Sequence, residues 1–275
     1  MSFAGPDRPT RMNTVISRDG TPIAFDRTGT GPAVILVDGA MCHRAFGPAG
    51  PLAALLAEHF TVYTYDRRGR GGSGDHPDYA VEREIEDIEA LVKEAGGVAY
   101  VYGTSSGGAL ALEAAARLPG IARLAVFEVP FVVDPSGPVR PDDYLDRMDT
   151  MIAEGRRGAA VATFMSTVGV PAVGVAVMRL TPVWRKLKAV APTLRYDFRV
   201  LGDTGAGRPL PADRWTAVQM PVLVLDGGKS PAPMRTAMKQ LAEVLPDARY
   251  RTLPGQTHLL KADAVAPVLR EFFGG

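Results

Sequence analysis

Cysteine is almost missing from this chain: Cys42 stands alone in 275 residues, which excludes an internal disulfide framework and any Cys cluster for zinc or iron–sulfur chemistry. A reducing compartment suits such a chain. Net charge is nearly missing too, because 31 basic residues face 30 acidic ones and leave no field to concentrate nucleic acid or an anionic membrane surface. No window approaches the ~18 apolar residues of a membrane span, and MSFAGPDRPTRMNT at the start contains no apolar stretch resembling a signal region. Internal repeats and low-complexity tracts are equally lacking. What remains is a cytoplasmic, soluble protein whose expected partner is a small, neutral molecule rather than nucleic acid or membrane.

The length is sufficient to bury a sizeable core, and doubly wound α/β chains of this size commonly form one domain carrying an insertion. Over the first ~130 residues, β-type runs alternate with helix-type runs, which predicts a mostly parallel sheet with helices on both faces. Residues 12–17 and 21–27 flank Asp19-Gly20 and read as an antiparallel hairpin. Residues 33–37, 61–65, 99–102 and 122–127 are short apolar runs typical of buried strands. Helices are predicted over 51–58, 81–95 and 106–118, the last two stopping at Gly96-Gly97 and Pro119-Gly120.

Composition shifts after Val129. The segment 130–211 is rich in Pro, Gly and Met, has helix-like stretches at 142–154, 158–168 and 183–190, and shows no convincing buried strand. It reads as a helical cap inserted after the sixth strand. Alternation resumes with strands 222–225 and 249–253 and helices 232–245 and 262–273. The core is therefore expected to comprise residues 1–129 and 212–275, with a sheet of about eight strands.

Gly103-Thr104-Ser105-Ser106-Gly107 matches G-x-S-x-G between an apolar strand and an alanine-rich helix, the context of a nucleophile elbow. A tight strand-to-helix turn forces unusual dihedrals on Ser105, so small residues two positions either side avoid clashes. Its Oγ then faces outward as a nucleophile. The helix behind it presents free N–H groups, among them that of Ser106, to a developing oxyanion.

Three further segments follow the order of landmarks in one family. Asp66-Arg67-Arg68-Gly69-Arg70-Gly71-Gly72-Ser73 resembles the D-x-R-G-x-G-x-S loop after the fourth strand, Gly39 resembles the glycine of an H-G oxyanion loop, and His258 follows the last strand. Together with the elbow, these resemble the α/β-hydrolase fold family, as found in serine esterases and perhydrolases. The resemblance covers nearly the whole chain outside the cap.

That resemblance implies Ser105 as nucleophile, His258 as general base, and the backbone N–H of Ala40 beside that of Ser106 in an oxyanion hole. Asp38 stands where the family has His; a structural role pinning the loop through backbone hydrogen bonds is its alternative. The position usual for the triad acid, after the seventh strand, falls on Ser230. Glu128, just after the sixth strand, is the leading candidate for that acid, ahead of Asp226 and then Asp134. Met41 and His43, past the oxyanion loop, and Met165 and Trp184 in the cap are expected to line the substrate pocket, although such cap residues also serve simply to bury helices. No metal or organic cofactor is implied. The expected activity is cleavage of an ester, thioester, lactone or amide of a small, largely apolar substrate through an acyl-enzyme on Ser105. Alternatives are a cofactor-free perhydrolase, lyase or cyclase on this scaffold, or a binding protein without turnover.

Overall fold

The computed structural model describes residues 13–275; the predicted strand's Met12 and the N-terminal signal reading lie outside these described residues. Asn13–Ile16 (β1) and Pro22–Thr28 (β2) form the antiparallel hairpin, and Gly20 supplies the positive φ of 87° that its turn requires. Ala33–Val37 (β3), Thr61–Tyr65 (β4), Ala99–Thr104 (β5), Ile121–Phe127 (β6), Val222–Gly227 (β7) and Ala248–Leu253 (β8) run parallel, while β2 pairs β4 antiparallel. The sheet order is β1-β2-β4-β3-β5-β6-β7-β8. β3 sits between β4 and β5 with both faces covered, which explains why AVILV is unbroken rather than alternating.

Two apolar layers sandwich this sheet. On one face Ala49–Leu56 (α1) and Ala262–Gly274 (α10) bury Leu52, Leu56, Leu269 and Phe273. On the other, Val81–Glu94 (α2), Ser106–Ala115 (α3) and Ala232–Val244 (α9) bury Ile88, Leu91, Leu110, Leu112 and Leu241. The chain segments leaving β3, β5, β6 and β8 emerge along the carboxyl edge of the parallel strands, where open α/β sheets hold their ligands.

Between β6 and β7 the chain is helical: Tyr144–Ala153 (α4), Arg157–Thr167 (α5), Ala172–Met178 (α6), Pro182–Val190 (α7) and Leu194–Leu201 (α8). The predicted stretches correspond to α4, α5 and α7. The sequence pattern does not predict the other two, α6 and α8. AVGVAVM in α6 is β-branched and interrupted by glycine, a composition that argues against a helix, and α8 spans only about two turns. Tertiary packing stabilises the second: Phe198 of α8 lies edge-on to Tyr144 of α4 at 4.6 Å between ring centroids.

Candidate active site

Among the described residues, three other than glycine have φ in the left-handed region: Met41 at 64°, Ser105 at 54° and Glu128 at 45°. Each follows a central parallel strand on the same sheet edge. Strained backbone of this kind persists only where surrounding structure over-determines it. At Ser105 the cause is visible: Ser105 N–H donates to Phe127 O at 2.9 Å, and helix α3 begins at the next residue. Space is equally tight. A Cβ on Gly39 would lie 2.9 Å from Ser105 Cβ, and one on Gly103 would lie 2.6 Å from Gly107 O.

Glu128 is fully buried, and both carboxylate oxygens are engaged. Oε1 accepts the Gly227 N–H at 2.7 Å, and Oε2 lies 2.9 Å from His258 Nδ1. His258 itself is about 40 % exposed, so the pair consists of a buried acid holding a solvent-reachable ring. Of the three candidate carboxylates, it is Glu128 that the structure brings to the histidine. Asp226 instead accepts Tyr250 Oη–H at 2.5 Å and faces Arg235, and Asp134 accepts hydrogen bonds from Ser136. Ser230 after β7 is buried, and its hydroxyl has no hydrogen-bond partner among the described residues.

Ser105 and His258 line one cavity of about 470 Å³ together with Asp38, Gly39, Ala40 and Cys42. Its walls differ from the sequence expectation. Phe164 and Val168 are the cap residues that line it, not Met165 and Trp184. Met165 and Trp184 pack half-buried against the hydrophobic core, and Trp184 stacks under Arg179 at 5.5 Å. Met41 is also absent from the wall, because its side chain is buried in the core. His43 is engaged in a bridge with Phe46 rather than lining the cavity. Most of the wall lies on the other side of Ser105, where Leu36, Leu52, Tyr102, Ala262 and Val265 form an apolar recess between the sheet, α1 and α10. These positions carry ordinary core residues at helix and strand spacing, so nothing in sequence distinguishes recess from core.

A buried charge network lies under the site. Arg67, Arg68 and Arg70 are each at most 1 % exposed. Arg68 pairs with Asp87 and Asp19, and Arg67 makes a forked pair with Glu84 at 2.7 and 2.8 Å. Asp197 of α8 accepts from Arg67 Nη1, Arg70 Nη2 and Ser106 Oγ, each at 2.7 Å. Burial alone would raise the Asp197 carboxyl, but the adjacent Arg70 and Arg67 hold it below the usual carboxylate range. Asp38 behaves oppositely: burial pushes its carboxyl up to about 7 against the pull of Arg70 and Arg67. The Asp197 network is invisible in sequence, because it joins residues 91 to 130 positions apart.

The comparisons with known proteins agree with the fold. Residues 29–268 match the model of the alpha/beta hydrolase family, and the chain belongs to that family. A solved alpha/beta hydrolase from Sphaerobacter thermophilus is 54 % identical, covering 95 % of this chain and 100 % of that one at a TM-score of 0.87. An enol-lactonase from Burkholderia xenovorans shares the fold at 21 % identity, covering 96 % and 100 % of the two chains with a TM-score of 0.68. Among curated proteins, an uncharacterized hydrolase of Bacillus subtilis is 34 % identical over 114 residues, 39 % of this chain and 40 % of that protein. N-formylmaleamate deformylase of Pseudomonas putida is 37 % identical over 119 residues, 41 % of each. The match thus spans about two fifths of the length of these curated relatives. No helix among the described residues is long and apolar enough to cross a membrane.

Proposed function

We propose that this chain is a serine hydrolase that cleaves an ester, thioester, lactone or amide of a small, largely apolar substrate. The observation carrying the reading is the fully buried Glu128 carboxylate on His258 Nδ1, beside a cavity that His258 shares with the strained Ser105. In this mechanism His258 Nε2 takes the Ser105 proton as Oγ bonds to the substrate carbonyl carbon. The carbonyl oxygen becomes an oxyanion facing the N–H groups of Ala40 and Ser106. Collapse breaks the bond to the leaving group, which receives the proton from His258. Water, deprotonated by the same ring, then attacks the acyl carbon and releases Ser105. Glu128 holds the ring in the tautomer that leaves Nε2 free to accept, and it stabilises the imidazolium formed at each step. Side chains and water supply every proton and nucleophile in these steps.

The recess between α1 and α10 supports an apolar acyl or alcohol portion, since a cavity of about 470 Å³ with few polar groups favours burial of hydrocarbon at roughly 0.8 kcal/mol per methylene. A p-nitrophenyl ester series of increasing acyl length tests this. Wild type should show rising kcat/KM over the first few carbons, and Ser105→Ala should remove the activity. Ala262→Phe, which fills the recess, should move the optimum to a shorter chain, and an unchanged optimum would place the substrate elsewhere. Absence of ester, thioester and amide cleavage throughout would instead favour a binding protein on this scaffold.

A further inference from the structure

The residues beneath the site are arranged around the two peptide groups proposed to hold the oxyanion. A peptide unit is planar, so the Gly39 carbonyl and the Ala40 N–H point in opposite directions from one rigid plate. Arg70 Nη1 donates to Gly39 O at 2.7 Å and to Cys42 O at 3.3 Å. Its other arm, Nη2, is fixed by Asp197 Oδ2 at 2.7 Å, and its Nε donates to Thr193 Oγ1 at 3.0 Å. A guanidinium so anchored does two things to that plate. It sets the direction of the Ala40 N–H, and its charge polarises the amide, making the N–H a stronger donor.

Asp197 also reaches the side chain of the residue that carries the second N–H. Its Oδ1 accepts the Ser106 hydroxyl at 2.7 Å, tying the first residue of α3 to α8. Arg67, forked onto Glu84, donates to the same Oδ1 and sits 3.4 Å from Asp38 O. Among the described residues, neither the Ala40 nor the Ser106 N–H is given to a protein acceptor. Arg70 and Asp197 are each 1 % exposed, and neither is part of the cavity wall.

We infer that Arg70 and Asp197 are positioning residues for the oxyanion site, a carboxylate from the cap and a guanidinium from the loop after β4 that together orient both backbone donors. This rests on the serine hydrolase reading above. It also gives the cap a second role, since α8 carries a part that the elbow and the oxyanion loop share.

Both donors act most strongly on the tetrahedral state, so loosening them should lower kcat while leaving KM nearly unchanged. The test uses Arg70→Lys, Asp197→Asn and Ser106→Ala in the full chain. Each is assayed with a p-nitrophenyl ester and with a trifluoromethyl ketone of matching chain length, which adds Ser105 to form a tetrahedral oxyanion. Active sites are counted by fluorophosphonate stoichiometry, and folding is checked by thermal melting. Deleting one oxyanion donor typically costs about 100- to 1,000-fold in kcat, so misaligning donors should cost about 10- to 100-fold per counted site for Arg70→Lys and Asp197→Asn, and less for Ser106→Ala. The inhibition constant for the ketone should weaken by the same factor as kcat/KM across the series. A merely structural role would lower the melting temperature and the number of labelled sites while leaving kcat per site unchanged, and that result overturns the inference. So does a loss that falls on KM alone. If Asp197→Asn fails to fold, Arg70→Lys and Ser106→Ala decide the matter by the same two readouts. A wild type that neither labels nor is inhibited overturns the hydrolase reading itself, an outcome distinct from wild-type activity with unaffected variants.

Discussion

Glu128→Gln should lower kcat for ester cleavage by about 1,000- to 10,000-fold, with KM within a few-fold of wild type. The amide has nearly the same shape, so the Gly227 N–H can still find an oxygen acceptor. In that orientation the other half presents N–H₂ to His258 Nδ1 and selects the wrong tautomer; flipped, it offers a neutral oxygen that stabilises imidazolium poorly and turns N–H₂ against the Gly227 N–H. KM is spared because Glu128 is buried behind the ring and does not line the cavity. Asp226→Asn provides the contrast. Asp226 is equally buried, but its Oδ2 is engaged by the Tyr250 hydroxyl, so its loss should change kcat less than about 5-fold and act mainly on stability. Steady-state kinetics of the two variants side by side checks the assignment. Equal losses, or a larger loss for Asp226→Asn, would contradict the role given to Glu128.

The second large effect is steric. Gly107→Ala places a Cβ 2.2 Å from Val37 O and 2.5 Å from Asp38 O, both backbone atoms at the end of β3 that cannot rotate away. Helix α3 must then withdraw from the strand, carrying the Ser106 N–H with it. Overpacking of this kind costs about 3 kcal/mol, which for a chain of this size corresponds to a fall in Tm of roughly 6–12 °C. Turnover should fall at least about 100-fold even where the protein is folded, because the elbow and the oxyanion loop no longer meet at the same spacing. Gly50→Ala in α1 is the control, since its new Cβ meets nothing within 4 Å; the change should leave activity intact and keep Tm equal to or above wild type. Differential scanning fluorimetry with parallel kinetics measures both.

Much of the α/β core is legible because its signals are local. β3 announces itself as a run of buried apolar residues, α3 as an alanine-rich helix behind a glycine-framed serine, and the helix end at Gly96-Gly97 as a backbone that needs positive φ. The meeting of Glu128 with His258 can be anticipated because each residue directly follows a strand or its short loop, and strand ends in a parallel sheet share one edge. Legibility ends where position depends on packing between distant elements. The Val-rich α6 is helical against its own composition. Leu52 and Val265 face the recess, yet at the sequence level they match the core residues one turn away. Asp197 sits between Tyr196 and Phe198 in a short helix, and nothing nearby marks it as the acceptor for two arginines and the Ser106 hydroxyl. Met165 and Trp184 are expected at the pocket because large apolar residues suit both a ligand and a core; the structure puts them against the core.

The network also separates the roles of neighbouring acids. Asp197, ringed by arginines, stays ionised, whereas Asp38, buried at the head of the oxyanion loop, is pushed up to about 7.

The most direct measurement is the intact mass and peptide map of the native protein after exposure to a fluorophosphonate. A single adduct on the peptide containing Ser105, formed far faster than in His258→Ala, is the result predicted for a hydroxyl activated by that ring. Labelling elsewhere, or a rate indifferent to His258, would contradict it.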